Sequence, residues 1–238
     1  MPTENGSPLF KGYQPSKDAF CVSALRAAGA VIMGKTVTTE LATLTPNKTR
    51  NPHNTAHTPG GSSSGSAAAV ADCMIPLALG TQTGGSVIRP ASFCGVFGLK
   101  PSFGLISRAG ILTQSPPLDT PGIFARSVED LALAADQLSA YDPADPWMYP
   151  RSRGSHLAVT RSEPPLRPLI AFVKSPFWDR AGDDTREAFG ELREALGMSA
   201  RRPSCRQSSP WPRNGSARSC WPIWRGISVR SPRRAGRA

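Results

Sequence analysis

Two clusters of glycine and serine lie near each other in the sequence, GGSSSGS at residues 60–66 and TGGS at residues 83–86. Glycines beside a serine allow a substrate carbonyl to approach the backbone closely. The second cluster also supplies successive backbone N–H groups, which could donate hydrogen bonds to an oxyanion. If Ser86 begins a helix, the helix dipole adds to that stabilisation. The pattern is typical of a site that stabilises developing negative charge.

Other kinds of site fit these residues less well. A flexible linker would have polar neighbours, whereas each cluster adjoins an apolar element. A phosphate-binding loop needs a lysine after its last glycine, and neither cluster has one. His53 and His57 have the spacing of a zinc helix, but Asn54 replaces the general-base glutamate and prolines flank the pair, so we expect loop histidines. No histidine has a suitable setting for a Ser-His-Asp triad. We expect no metal and no cofactor.

The elements that must position these clusters are short helices alternating with short apolar strands, which predicts an α/β fold. Asp18 is expected to cap the first helix, and Ser127 and Asp130 fit a capping box. The predicted helices are residues 18–28, 38–42, 66–71, 127–140 and 183–197, and the predicted strands are residues 30–34, 75–83 and 168–175. Residues 43–61 are predicted as loop, and residues 141–167, rich in proline, as a surface excursion.

Cysteine usage and hydropathy favour a soluble cytoplasmic protein. The five cysteines are an odd number without a CxxC pair, which argues against a disulfide framework or a zinc knuckle. Cys73 and Cys94 lie among small apolar residues and are predicted to be buried thiols. The first twenty residues lack the apolar region of a signal peptide. No apolar run approaches the length of a transmembrane span.

The positive charge of the chain is concentrated at one end. The net charge is +11, yet residues 198–238 contain ten arginines, no lysine and no acidic residue, so residues 1–197 are close to neutral. This segment also holds three of the five tryptophans and has no periodicity. We predict that it is disordered or translated out of frame. The alternative from another class of function is a basic nucleic-acid-binding protein that acts through this tail.

Residues 1–197 resemble the amidase signature family of serine hydrolases. The resemblance rests on GGSSSGSAAAVA (60–71) and LGTQTGGSVIRPASFCGVFGLKPSFGLISRAG (79–110), and on the flanking residues 1–42 and 118–138. It implies a partial amidase signature domain over residues 1–197, with a mixed β-sheet covered by helices on both sides. Residues 198–238 are then a separate tail.

The resemblance also implies roles for individual residues. Ser86 is the implied nucleophile, and Ser62, after a cis peptide bond, is the implied proton relay. The backbone amides of Thr83, Gly84, Gly85 and Ser86 are the implied oxyanion hole. The implied reaction is cleavage of the C–N bond of a linear amide through an acyl-enzyme. The remaining serines of the first cluster, together with Asp72 and Arg89, are expected to be structural.

The sequence departs from the family at the general base. The family lysine precedes the relay serine by about seventy residues, in a V-K-D strand, and that position falls before Met1. Lys11, Lys17 and Lys35 are too close to Ser62 to correspond to it. The catalytic lysine is therefore expected to be absent and the chain, read as an N-terminally truncated fragment, to be inactive. Gln82 also stands where many members have aspartate.

The implied partners are those of an amidase. The substrate is expected to be a small-molecule amide, with no specific nucleic acid, no membrane and a possible homodimer for a full-length parent. Within the family, the alternative function is that of a glutaminase (A) subunit in a tRNA-dependent amidotransferase. That alternative implies partner subunits.

Overall fold

The computed structural model describes residues 1–166, 168, 170–174, 177–197 and 200–201. The chain divides into two compact units, Met1–Glu163 and Pro164–Ala238. The predicted boundary between residues 197 and 198 remains a prediction, because the tail beyond it lies outside the described residues except at residues 200 and 201.

A three-stranded antiparallel sheet forms the centre of the first unit. Its strands are β1 (Leu77–Gln82), β2 (Phe97–Leu99) and β3 (Thr120–Ala125), in the order β1-β3-β2. Leu77 pairs with Ala125 at one end of the β1–β3 ladder, and Gln82 pairs with Thr120 at the other. All six residues of β3 are buried, since this strand lies between two others and both its faces are covered.

Helices pack on both faces of this sheet, because alternate residues of a strand point to opposite sides. On one face, Ile123 and Ala125 contact α1 (Phe20–Ala27) and α4 (Val128–Leu138). On the other, Phe124 packs with α2 (Ser64–Ala71) and α3 (Ile88–Phe93). The predicted α/β class, with helices covering both sides of the sheet, is confirmed.

The remaining elements are short or belong to the second unit. Helix α5 (His156–Arg161) lies within the segment predicted as a surface excursion. Its start is fixed by Asp136 of α4, whose carboxylate accepts hydrogen bonds from Ser155 Oγ and His156 N. The second unit contains β4 (Ile170–Ala171), α6 (Asp183–Leu196) and β5 (Ala200–Arg201), and β4 and β5 pair in parallel. Turns of 3₁₀ helix occur at Pro8–Phe10, Glu40–Ala42 and Trp178–Arg180.

Three predictions of detail are wrong. Residues 30–34 form no strand, and the side chains of Val31 and Met33 are 80% and 75% exposed, because no described strand pairs with this segment. The first helix is preceded by Ala19 at its cap, while Asp18 forms an exposed ion pair with Arg26. Cys73 is exposed rather than buried, since it follows the last turn of α2 with a φ of 57°.

Other predicted features are present. Ser127 caps α4 by accepting a hydrogen bond from Asp130 N, and α6 ends at Gly197, whose φ is 52°. None of the helices in the described part of the chain is long and apolar enough to cross a membrane.

Candidate active site

Residues 60–66, the first serine loop, are held by residues 37–39. The peptide bond between Gly61 and Ser62 is cis, as the resemblance implies. The Ser62 carbonyl oxygen accepts hydrogen bonds from Thr39 N at 3.0 Å and from Thr38 Oγ1 at 2.8 Å. Gly65 N donates to the Val37 carbonyl at 2.8 Å. The backbone at Ser62 and after it is thereby fixed.

Three serine hydroxyls of this loop bind neighbouring backbone. Ser63 Oγ accepts from Thr81 N at 3.2 Å and donates to the Thr81 carbonyl at 3.3 Å. Ser64 Oγ donates to the Val37 carbonyl, and Ser66 Oγ donates to the Leu79 carbonyl on β1. These side chains attach the loop to β1 and to residue 37, which is the structural role expected of them.

Residues 83–86, which we call the oxyanion turn, connect β1 to α3. The turn is followed by a side-chain cap, because Gln82 Oε1 accepts from Val87 N at 2.9 Å and from Ile88 N at 3.0 Å. Helix α3 begins at Ile88, so the idea that Ser86 itself begins a helix is wrong. Ser86 instead lies in the turn before it, next to Gly85, whose φ of 139° favours glycine.

The first serine loop and the oxyanion turn are joined by two hydrogen bonds. Ser63 N donates to the Ser86 carbonyl at 3.3 Å. Arg89 Nε, on α3, donates to the Gly61 carbonyl at 3.0 Å, directly before the cis bond. The structure thus brings together the loops of Ser62 and Ser86, and Arg89 has the structural contact predicted for it.

The hydroxyls of Ser62 and Ser86 differ from those of the neighbouring serines in having no hydrogen-bond partner among the described residues. The two residues are 2% and 9% exposed. Among the described residues, none forms a hydrogen bond with Ser62 Oγ or Ser86 Oγ, and none accepts from the backbone N–H of Gly84, Gly85 or Ser86. The site therefore combines two uncommitted serine hydroxyls with uncommitted N–H donors, which is the composition needed for acyl transfer.

Sequence reasoning did not identify a polar network at the start of the oxyanion turn. Thr83 Oγ1 donates to Asp119 Oδ1 at 2.5 Å and lies 3.2 Å from Gln114 Oε1. Both partners follow β2 in the sequence and precede β3. The sequence signal that could have indicated this network was Asp119, a charged residue directly before the apolar strand TPGIFA.

The histidines and cysteines near the site have structural surroundings. His53 lies in a turn, with Nε2 2.9 Å from the Cys94 carbonyl. Burial raises the pKa of the Cys94 thiol to about 11, so this thiol is protonated at neutral pH and is no nucleophile. Within the described ranges, no group of three or more His, Cys, Asp or Glu residues could hold a metal ion.

Comparison with known proteins gives consistent matches. The family model for Amidase matches residues 1–201. The chain is 40% identical, over 216 residues, to the A subunit of the glutamyl-tRNA(Gln) amidotransferase of Thermus thermophilus, covering 85% of this chain and 44% of that protein.

Solved structures agree with this match. The structure of 6-aminohexanoate cyclic dimer hydrolase aligns with a TM-score of 0.73 at 36% identity, covering 84% of this chain and 45% of that one. A peptide amidase bound to the competitive inhibitor chymostatin aligns with a TM-score of 0.69 at 35% identity, covering 82% and 43%. The chain thus spans less than half the length of each of these relatives.

Proposed function

The chain belongs to the amidase family, and on this basis we propose that it carries the nucleophile half of a site that cleaves the C–N bond of a linear amide. The observation that carries the proposal is the pair of uncommitted hydroxyls of Ser62 and Ser86, two buried residues in loops bonded to each other. The hydroxyls of the neighbouring serines of the first serine loop all form hydrogen bonds with backbone groups. Chemistry is therefore assigned to these two side chains alone.

In the proposed reaction, Ser86 Oγ attacks the carbonyl carbon of the amide. The backbone N–H groups of Thr83, Gly84, Gly85 and Ser86 surround the position where the oxyanion forms. The C–N bond breaks, ammonia or an amine leaves, and water then cleaves the ester to Ser86. Ser62 carries the Ser86 proton towards a base and returns a proton to the leaving nitrogen.

The base that completes this relay is a lysine in the proposal. In the described part of the chain, no lysine forms a hydrogen bond with Ser62 or Ser86; Lys100 Nζ, for example, donates to the Pro101 carbonyl. Burial lowers the pKa of Lys100, whose amino group is engaged with the Pro101 carbonyl. A serine without its base stays mostly un-ionised at neutral pH, so the chain alone is expected to hydrolyse amides very slowly.

A fluorophosphonate probe tests the nucleophile without requiring turnover. The serine oxygen displaces fluoride from phosphorus, and intact-protein and peptide mass spectrometry locate the adduct. We expect a single adduct on Ser86, none in S86A, slower labelling in S62A, and unchanged labelling in T160A, whose exposed hydroxyl donates to the His156 carbonyl on α5. An adduct that persists in S86A contradicts the proposal.

A glutaminase-subunit function is the second candidate, favoured by the relatives that are A subunits of glutamyl-tRNA(Gln) amidotransferases. It would require partner subunits, so the test is affinity purification of the chain from its own cells. Recovery of such subunits supports this candidate, and recovery of the chain alone favours a free-standing amidase.

The remaining parts of the proposal follow the family. The substrate is a small-molecule amide that reaches the site from solution, and the protein acts in the cytoplasm. A homodimer is proposed for a full-length parent, without specific nucleic acid and without a membrane.

A further inference from the structure

The first glycine of the oxyanion turn, Gly84, is exposed and has little packing of its own. Gly84 and Gly85 have no side chains, and a Cβ added to Gly84 would meet no atom within 4 Å. Two consecutive glycines leave the backbone free to take several conformations. The position of the Gly84 N–H therefore depends on what holds the two ends of the turn, beside the hydrogen bonds that the carbonyls of Gly85 and Ser86 accept from Arg89 N and Ser63 N. Gln82 holds the far end through the amides of Val87 and Ile88.

Asp119 holds the near end. Its side chain accepts the Thr83 hydroxyl on Oδ1 at 2.5 Å, and its Oδ2 accepts Gln114 N and Ser115 N, both at 2.8 Å. Asp119 is only 7% exposed. Hydrogen bonds to a carboxylate are short and roughly twice as strong as neutral ones. Two backbone donors thus fix the carboxylate, and the carboxylate fixes Thr83.

The same network reaches the first serine loop. Gln114 Nε2 donates to the Leu41 carbonyl at 2.6 Å. Leu41 follows Thr38 and Thr39, which hold the Ser62 carbonyl. The loop around residue 114 is therefore bonded both to the start of the oxyanion turn and to the segment that fixes Ser62.

We propose that Asp119 is a positioning residue, which fixes the oxyanion turn through Thr83 and, with Gln114, sets its place relative to the Ser62 loop. The relevance of this role to catalysis rests on the proposed function of Ser86. The effect of Asp119 on the conformation of the turn does not depend on that function. The conformational effect and the catalytic effect can therefore be measured separately.

The first measurement is the backbone ¹⁵N order parameter of Gly84 and Gly85 in the full chain. A rigid backbone gives about 0.85 and a flexible one less than about 0.6. We expect rigid values in the unaltered chain and flexible values in T83V, which keeps the shape of Thr83 and removes its hydroxyl. D119N should have the same effect, and T83S, which keeps the hydroxyl, should restore rigid values.

The matched control is T120V. Thr120 is 2% exposed, and among the described residues its hydroxyl bonds the Leu118 carbonyl alone, so T120V deletes a buried hydroxyl next to Asp119 and leaves the hydrogen bonds of the turn in place. T120V should leave Gly84 and Gly85 rigid. Unchanged order parameters in both T83V and D119N overturn the proposal, as does equal loosening in T120V.

The second measurement is the fluorophosphonate reaction, separated into the limiting rate kinact and the half-saturating concentration KI. We expect T83V to lower kinact at least about tenfold with KI unchanged, since a small misplacement of catalytic groups has effects of this size. T83S should restore it. If the unaltered chain is not labelled at Ser86, the proposed function is wrong. The positioning role of Asp119 is then decided by the order parameters alone. A lowered kinact in T120V as well contradicts the assignment to Thr83 and Asp119.

Discussion

At the scale of single residues, Gln82 shows how a neutral side chain can organise the site. Its Oε1 satisfies two backbone amides at the start of α3 while the residue is 8% exposed. Many family members have aspartate there, according to the resemblance. Glutamine keeps the acceptor and avoids the cost of burying a charge.

Removing this acceptor should destabilise the fold. In Q82L, the buried amide of Val87 and the partly buried amide of Ile88 lose their partner, and the free energy of unfolding should fall by about 2 kcal/mol. Urea unfolding followed by circular dichroism measures this. The control Q137L changes an exposed residue of α4 and should have an effect below about 0.5 kcal/mol. Equal stability of the two variants would rule out the capping role.

A second residue-scale prediction concerns the buried ion pair between Arg108 and Asp145. Burial by itself would raise the pKa of Asp145, but hydrogen bonds from the Arg108 side chain and backbone and from Trp147 N lower it to about 2. A carboxyl whose pKa is depressed in the folded state adds stability above its unfolded pKa near 4. That contribution, about 2 kcal/mol, is lost as the pH falls towards 2.

The variant D145N tests this pair. It leaves Arg108 buried without its partner, so stability at pH 7 should fall by about 3 kcal/mol, and the decline between pH 4 and pH 2 should become shallower. Thermal unfolding across that pH range measures both effects. D18N, which breaks the exposed Asp18–Arg26 pair, should cost less than about 1 kcal/mol and serves as the comparison. A pH profile unchanged in D145N contradicts the interpretation.

The site residues differ in how far the sequence could identify them. Ser62 and Ser86 were named from the resemblance, and the structure places their loops in contact, although their chemical roles remain proposals. Asp119 and Gln114 could not be assigned in the same way. Their bonds to Thr83 span 36 and 31 residues of sequence, and no local pattern reports a contact of that range.

At the scale of elements, periodicity predicted the helices well and the short strands poorly. Helix α4 has a predicted cap residue, Ser127, and the predicted range of α6 ends at Gly197; both helices are present with these residues in place. Strand β3 was not predicted, because a strand buried on both faces shows no alternation of apolar and polar residues. Residues 30–34 are equally apolar but, apart from the half-buried Ile32, lie exposed, so composition alone could not separate the two segments.

The contact between β1 and the first serine loop gives an element-scale prediction. A Cβ at Gly80 would lie 2.6 Å from Ser63 Oγ and 2.7 Å from the ring of Phe124. G80A should therefore lower the free energy of unfolding by about 1–3 kcal/mol and slow the labelling of Ser86. Chemical unfolding and the probe reaction measure these effects. G154A, where a Cβ meets nothing within 4 Å, should be neutral, and a stable, fully reactive G80A would refute the close contact.

At the scale of the whole molecule, the charge is divided very unevenly along the chain. Residues 198–238 carry ten arginines and no acidic residue. Deleting them should abolish retention on a cation-exchange column at pH 7 and any salt-dependent binding to DNA. Fluorophosphonate labelling of Ser86 in the shortened chain should persist. Retention or DNA binding by residues 1–197 alone would show a basic surface that the sequence does not predict.

The central position of β3 also determines when the site can form during synthesis. Among the described strands, β1 and β2 pair only with β3, and Asp119, the anchor of the oxyanion turn, directly precedes that strand. A ribosome makes both serine clusters before it makes residues 119–125. A nascent chain stalled before residue 119 therefore holds both serines without the central strand and without Asp119, and translation of residues 119–125 supplies the two together.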